Sequence, residues 1–333
     1  INHIQTRIKQ QIVQHSLYIK QKRNLSYMKV LVIGGTGFIG KPLIEKLLER
    51  NHEVTVFSRN EKRVRSVFGN RVHIQQWIPE EYILLQEHVH KVHAVINLAG
   101  ENIAAKKWTD YQKRKIISSR ISIGKSLSYT IQKSEDKPYL LIQASAIGFY
   151  GFSETQEFTE DAPEGKGFLP MVAKYWEDTI RKVKRDKTRK VFIRTGVVLG
   201  RKGGMLQKMI QPFKFMAGGT LGSGNQWLSW IHIEDEINAI IYLLEKADSN
   251  GVYNLTAPNP VQMKTFVKTL GRKMGKPAWL KVPGVILKAI YGDMAKETML
   301  QGQKAIPQRL QKEGFTFSFP ELDKALEDLV GNK

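Results

Sequence analysis

Short apolar runs alternate with longer amphipathic stretches over the first two hundred positions. The run KVLVIGG (29–35) is rich in β-branched residues and ends in glycine, the pattern of a buried parallel strand. Residues 38–51 follow, with Ile39, Leu43, Ile44, Leu47 and Leu48 on one stripe, which predicts an amphipathic helix. Pro42 fits only near the start of that helix. Further strands are predicted over 53–59, 71–77, 94–100, 139–145 and 190–200. Helical patterns separate most of them. One opens at Thr109 with Gln112 three residues on, a capping box, and another runs over 168–187. Such alternation predicts an α/β fold, a Rossmann-type doubly wound parallel sheet.

After residue 200 the pattern changes. Glycine-rich loops at 203–204 and 218–224, a helix near 234–247, a strand over 251–257 and a helix near 261–274 lead into a mostly helical, proline-punctuated tail. The expected division is a nucleotide-binding domain over 28–200, which later segments can rejoin, and a smaller, mostly helical C-terminal substrate lobe over 201–333. Residues 1–27 keep no steady apolar period and carry no acidic residue. They are expected to be a disordered basic extension outside the fold, non-native or upstream-derived. A mitochondrial presequence shares that composition and is the alternative reading.

The motif VIGGTGFIG places Gly34, Gly37 and Gly40 between the first strand and the first helix. Gly34 permits a tight turn, Gly37 lets the backbone approach a pyrophosphate, and Gly40 lets helix and strand pack closely. Thr36, Phe38 and Ile39 complete the loop, and the helix N-terminus would hold the negative charge. The second strand ends in FSRNEKR. Ser58 and Arg59 stand where an NAD site usually carries an acid, and a guanidinium can pair with a 2′-phosphate. The cofactor expected is therefore NADP(H), with Glu61 as an alternative ribose acceptor. NLAG (97–100) puts Leu98, Ala99 and Gly100 at the end of another strand, where small residues let a ribose lie against the backbone.

Composition narrows the partners. The formal charge is +21, yet the basic residues are scattered and no nucleic-acid motif accompanies them. The surface is read as lysine-rich and solvated around a pocket for phosphorylated ligands, not as a nucleic-acid interface. No apolar run reaches the roughly 18 residues of a membrane span. Cysteine is absent, which excludes disulfides, thiol nucleophiles and Cys-ligated zinc, and no metal site is expected. The chain is expected to be cytoplasmic, a monomer or homodimer, with a small-molecule substrate.

From Met28 onward the chain resembles the short-chain dehydrogenase/reductase superfamily, in its atypical or extended branch, and within it the epimerase-like NADP-binding group. GGTGFIG, NLAGENIA, SSRI, SAIGFYG, RTGVVLG, GSGNQWLSWIHIED, YNLTAPNP and GQKAIPQRLQKEGFTFSFP carry the likeness. It implies a Rossmann-type fold, NADP(H) and a C-terminal substrate lobe, and a function as oxidoreductase or epimerase on a small carbonyl or sugar-like substrate. A non-catalytic NADP(H) sensor is the alternative.

The superfamily's proton donor is a Tyr, backed by a Lys four residues on and a Ser on the preceding strand. Ser145 fits the Ser place, or else satisfies its own turn. The helix after it reads GFLPMVAKYWE, with Pro170 four residues before Lys174. If Glu177 sets the alignment, Leu169 and Ala173 stand there instead. Tyr150 is the nearest substitute, either reaching a substrate oxygen or lining the pocket; Glu160 and Asp161 follow it. Arg194 binds an anionic substrate group or loop carbonyls. Gln226 and Trp227 wall the substrate or pack in the core. His232 is read as a structural histidine, and Asp235 as the cap of the next helix.

Overall fold

The computed structural model describes residues 27–184 and 188–331. The N-terminal stretch read as an extension lies outside the described residues, apart from Tyr27, whose hydroxyl donates to Glu53 at 2.6 Å.

Seven parallel strands form the central sheet. They are β1 (Lys29–Ile33), β2 (Glu53–Ser58), β3 (His73–Gln76), β4 (Ala94–Asn97), β5 (Leu140–Ala146), β6 (Arg189–Thr195) and β7 (Gly251–Leu255), in the order β7-β6-β5-β4-β1-β2-β3. Strand β7 pairs with β6 from Gly251 opposite Val191 to Leu255 opposite Thr195, so the chain after 200 does return to the first sheet. Side chains alternate across the pleat. Val30 and Val32 join the core beneath the helices Gly40–Glu49 and Ile233–Glu245. Leu31 and Ile33 join the opposite core, beneath Tyr82–Val89, Asp110–Lys133 and Phe168–Arg181. Both faces are covered, which is why these strands read as continuous apolar runs.

The same alternation aims the polar residues at the strand ends. On β5, Leu140, Ile142 and Ala144 face the first core and Leu141 the second, so Ser145 points to the side of Phe168–Arg181. On β6, Val191 and Ile193 face the first core and Phe192 the second. Arg194 therefore shares the side of Ser145, and Thr195 turns toward Ile233–Glu245.

The run expected as one strand over 190–200 is two. At Gly196 the backbone bonding changes partner: the Gly196 amide donates to the Leu255 carbonyl, and the Val197 amide donates to Ser229. Residues Val197–Gly200 then pair with Trp230–His232 in a separate ladder. Leu199, Leu206, Phe213, Trp230, Phe266 and Leu326 build a further apolar core around the helices Gly204–Lys214, Met263–Met274 and Leu322–Val330.

Two helix starts refine the expected caps. Thr109 accepts the Gln112 amide at 3.2 Å, but the Gln112 side chain donates to Glu101, so only half of the capping box forms. Asp235 is not the cap of its helix. His232 Nδ1 accepts the Glu234 amide at 3.1 Å in that role. Asp235, inside the first turn, accepts the amides of Ser318 and Phe319 at 2.7 and 2.9 Å and so fastens the tail.

Candidate functional site

The site lies at the carboxyl ends of β1, β4 and β5, where the order of the sheet reverses and open α/β folds bind ligands. Gly34 has φ +88°, and a Cβ there would stand 2.9 Å from the Ala99 amide nitrogen. A Cβ on Gly40 would stand 2.3 Å from the Gly34 carbonyl oxygen. The loop is thus a bare-backbone cradle. The helix it opens has no side-chain cap and no acid in its first turn. Both leave the helix dipole free for an anion, so the residues present fit a dinucleotide pyrophosphate. Ile39 is the N-cap residue. The Phe38 ring packs against the turn at Gly200, Gly203 and Gly204, so what Phe38 offers a ligand is its backbone.

At the end of β2, Ser58 is held in a local turn, where its hydroxyl accepts the Asn60 amide at 3.1 Å. Asn60 caps the helix Glu61–Phe68 by accepting the Arg63 amide. Arg63 reaches back to the Thr36 carbonyl at 3.4 Å, tying this corner to the glycine loop. Arg59 is exposed and forms no ion pair among the described residues. Glu61, the alternative ribose acceptor, is paired with Arg65 at 2.7 Å.

At the end of β4, the Leu98 amide donates to Ile33, and Asn97 accepts the Ala99 amide and donates to Gln143 at 3.0 Å. The lack of a side chain at Gly100 has a cause within the fold. A Cβ there would meet the Arg120 guanidinium at 2.9 Å.

Ser145 donates to Glu177 Oε1 at 2.7 Å. Glu177 is 1 % exposed and also takes a bidentate pair from Arg194, Nε at 2.8 Å and Nη2 at 3.0 Å, with Arg181 at 2.6 Å. Burial pushes the Glu177 carboxyl up, but these bonds outweigh it and hold it below the usual carboxylate range. Glu177, not Lys174, is the residue of this helix that faces Ser145. Lys174 points outward to Glu164 at 2.7 Å. Pro170 is buried and lines a cavity of about 80 Å³ with Gly148 and Gln303, so this part of the helix is a wall.

Tyr150 is not presented to the crevice. It is 2 % exposed, donates to Asn254 at 2.6 Å and accepts from Arg194 Nη1 at 3.0 Å. Burial pushes its hydroxyl up to about 12, against the pull of Arg194, so it is a poor acid at neutral pH. Arg194, stacked 3.5 Å from the Phe149 ring centroid, is spent on Glu177 and Tyr150 rather than open to a substrate anion. Glu160 accepts the amides of Asn254 and Arg309, at 3.1 and 3.2 Å.

The downstream residues divide. Gln226 is buried and donates to the Leu221 and Met299 carbonyls, and its Oε1 has no partner among the described residues. Trp227 donates to Glu154 at 2.7 Å beneath Lys304. His232 stacks on Phe319 with ring centroids 3.9 Å apart, and burial pushes its pKa down.

Arg120 lies in SSRI and Asn254 in YNLTAPNP, motifs that carry the likeness without giving either residue a role, and Glu297 lies in none of the quoted motifs. Glu297 comes from the helix Asp293–Thr298 and accepts the amides of Phe168 and Leu169 at 3.1 and 2.9 Å. It caps a helix that has no side-chain cap of its own.

The chain matches two family models, the NAD dependent epimerase/dehydratase family over residues 30–256 and a domain of unknown function over residues 282–329. It is 41% identical to the epimerase family protein YfhF of Bacillus subtilis, with 92% of this chain and 99% of that protein covered. The human epimerase family protein SDR39U1, solved with NADPH, superposes with a TM-score of 0.81 at 34% identity, covering 91% of this chain and 99% of that one. A nucleoside-diphosphate sugar epimerase of Corynebacterium glutamicum gives a TM-score of 0.72 at 27% identity, covering 94% of this chain and 61% of that one. With its bare glycine cradle at the sheet's switch point and a family match over most of its length, the chain belongs to the NAD-dependent epimerase/dehydratase family.

Proposed function

We propose that the protein is an NADP(H)-dependent oxidoreductase or epimerase acting on a small carbonyl or sugar-like substrate. The observation that carries this is the Ser145–Glu177 pair, set at the end of β5 beside the glycine cradle. Exposed Arg59 at the end of β2, and the NADPH with which the human relative was solved, support the phosphorylated cofactor. Gly34, Gly37 and Gly40 would hold the pyrophosphate, with Thr36 beside them, and Ser58 and Arg59 the adenosine end. Leu98, Ala99 and Gly100 would border the ribose on the nicotinamide side. When bound, the nicotinamide supplies or takes a hydride.

The protein's own part is proton handling. With Glu177 ionised, the Ser145 hydrogen is committed to it and Ser145 meets the alcohol form of a substrate as an acceptor; with Glu177 protonated, Ser145 can donate to the carbonyl form. As that alcohol is oxidised, its O–H proton passes to Ser145 Oγ and the Ser145 hydrogen passes to Glu177 Oε1. Reduction reverses both transfers and therefore starts from Glu177 carrying a proton taken up from water. Glu177 is a weak base because Arg194 and Arg181 hold it down, which favours the return of the proton to substrate. Tyr150 takes no part; it braces Asn254 and Arg194.

A sensor without turnover is the second reading. It is favoured by the outward ion pair of Lys174, which leaves the helix facing Ser145 without a cation of its own at the usual place. Mixing NADPH-loaded protein with a panel of aldehydes, ketones and keto sugars separates the two. Loss of the reduced-nicotinamide absorbance with at least one compound, slowed about tenfold or more by Ser145→Ala, supports the enzyme. Full binding with no oxidation across the panel supports the sensor.

A further inference from the structure

The Arg120 guanidinium borders the crevice with its bonding half used. It rises from the helix Asp110–Lys133, and its Nη1 donates to the Glu101 and Ile116 carbonyls, both at 3.0 Å. Its Nε and Nη2 have no hydrogen-bond partner among the described residues. Below it lies the Trp176 ring, 4.7 Å away, whose buried indole N–H is also without a partner among them. Exposed Gly100 faces it, and a Cβ there would stand 3.1 Å from Nη2 and 3.2 Å from Nε. The free edge is therefore turned toward the bare backbone at the end of β4, which itself abuts the Gly34 cradle.

Arg120 is half-buried and its Nε–Nη2 edge is not sealed in the interior, so a guanidinium held this way offers that edge to an acceptor that arrives from outside. Its charge is weakly opposed. Glu101 is the acid whose field reaches Arg120, but its carboxylate is held by Gln112 at 3.3 Å and Lys115 at 3.4 Å, and it touches Arg120 only through its backbone oxygen. Burial lowers the guanidinium to about 10, which leaves it protonated at neutral pH. Across the helix pair, Glu177 is matched by Arg194 and Arg181.

We propose that Arg120 is the positive group met by the nicotinamide half of the cofactor, and that it makes the site hold the reduced cofactor in preference to the oxidised one. This rests on the NADP(H) reading above. The reason is charge. The two forms carry the same phosphates, but the oxidised ring is cationic and the reduced ring is neutral. A fixed cation in a partly buried crevice repels the first and leaves the second untouched. The free Nε–Nη2 edge gives a ribose or carboxamide oxygen a pair of donors in either state, so Arg120 adds affinity to both forms and discrimination between them.

Equilibrium titration of the full chain with NADPH and with NADP+ tests this. The wild type is expected to bind NADPH about tenfold or more tightly than NADP+. Arg120→Met should weaken both and lower that ratio at least about fivefold, whereas Arg120→Lys, which keeps the charge, should retain it within about twofold. Gly100→Ala, which pushes the guanidinium aside without removing it, should also lower the ratio and serves if Arg120→Met does not fold. A ratio unchanged in the folded Met variant, or in Gly100→Ala if Arg120→Met does not fold, overturns the proposal alone, as does a wild type that prefers NADP+. A wild type that binds neither form overturns the NADP(H) reading together with it.

Discussion

Ser145 gives its hydroxyl hydrogen to Glu177 across 2.7 Å, and the two residues lie on different elements, strand β5 and the helix Phe168–Arg181. The contact ties the proposed proton path to the charge balance of the core, because the same carboxylate anchors Arg194 and Arg181.

Glu177→Gln should therefore cost stability as well as turnover. The substitution keeps the shape but leaves the 3 % exposed Arg194 side chain without its counter-charge. Removing one partner of a buried pair typically costs about 3–5 kcal/mol, and a loss near the lower end is expected because the amide oxygen still accepts. Urea unfolding of the two proteins measures it. A difference under about 1 kcal/mol would show that Arg194 does not depend on Glu177.

Tyr150→Phe separates a brace from an acid. The change strands the Asn254 oxygen and one Arg194 donor and is expected to lower stability by about 1–2 kcal/mol. Cofactor affinity and turnover should stay within about twofold. A loss of turnover of about a hundredfold in the folded variant would return Tyr150 to the chemistry.

Glu236 sets a pH dependence of opposite sign to that of an ordinary paired carboxylate. It is fully buried, accepts from Thr195 at 2.8 Å and leaves its other oxygen without a partner among the described residues. Burial raises its pKa to about 8, the Thr195 bond opposing only in part. Between about 4.5 and 8 the unfolded chain loses this proton while the folded chain keeps it. Native protein then binds more protons than unfolded, so stability falls as pH rises through that window and levels off above about 8. Glu236→Gln, neutral at every pH, should flatten the slope and be the more stable protein at pH of about 8. Melting curves at intervals across that range check it; parallel wild-type and variant profiles would contradict it.

Glu297→Ala removes a cap supplied from the distant helix Asp293–Thr298. The helix Phe168–Arg181 has no cap of its own, so its first amides lose both acceptors at once. A loss of about 1–2 kcal/mol is expected. Hydrogen exchange at Phe168 and Leu169 should rise in step, and unchanged protection there would show that another group caps the helix.

Much of this is legible in the sequence where the signal is local. The alternation of Val30, Leu31, Val32 and Ile33 announces a strand covered on both faces, and the glycines at 34, 37 and 40 announce the turn that follows. The break at Gly196 is not legible, because Val197–Gly200 is as apolar and β-branched as the strand before it. Only the second ladder, to Trp230–His232, makes it a separate element. Asp235 has the chemistry of a cap, but the ring nitrogen of His232 arrives first and the Asp carboxylate serves the distant tail. The Ser145–Glu177 contact spans 32 positions and the Glu297 cap spans 129, and neither spacing carries a periodic signal. Arg120 belongs to the SSRI block that carries the likeness, but nothing in that block assigns it a role; its half-used guanidinium is seen only where the fold brings Gly100 against it.

The proposed 2′-phosphate contact at Arg59 must distinguish NADPH from NADH, and competitive titration of the wild type with the two decides whether it does. Two charge-assisted bonds from Arg59 are each worth about 1.5–3 kcal/mol, so NADPH should bind at least about tenfold more tightly, and Arg59→Ala should remove most of that margin. Equal or tighter binding of NADH would contradict the assignment.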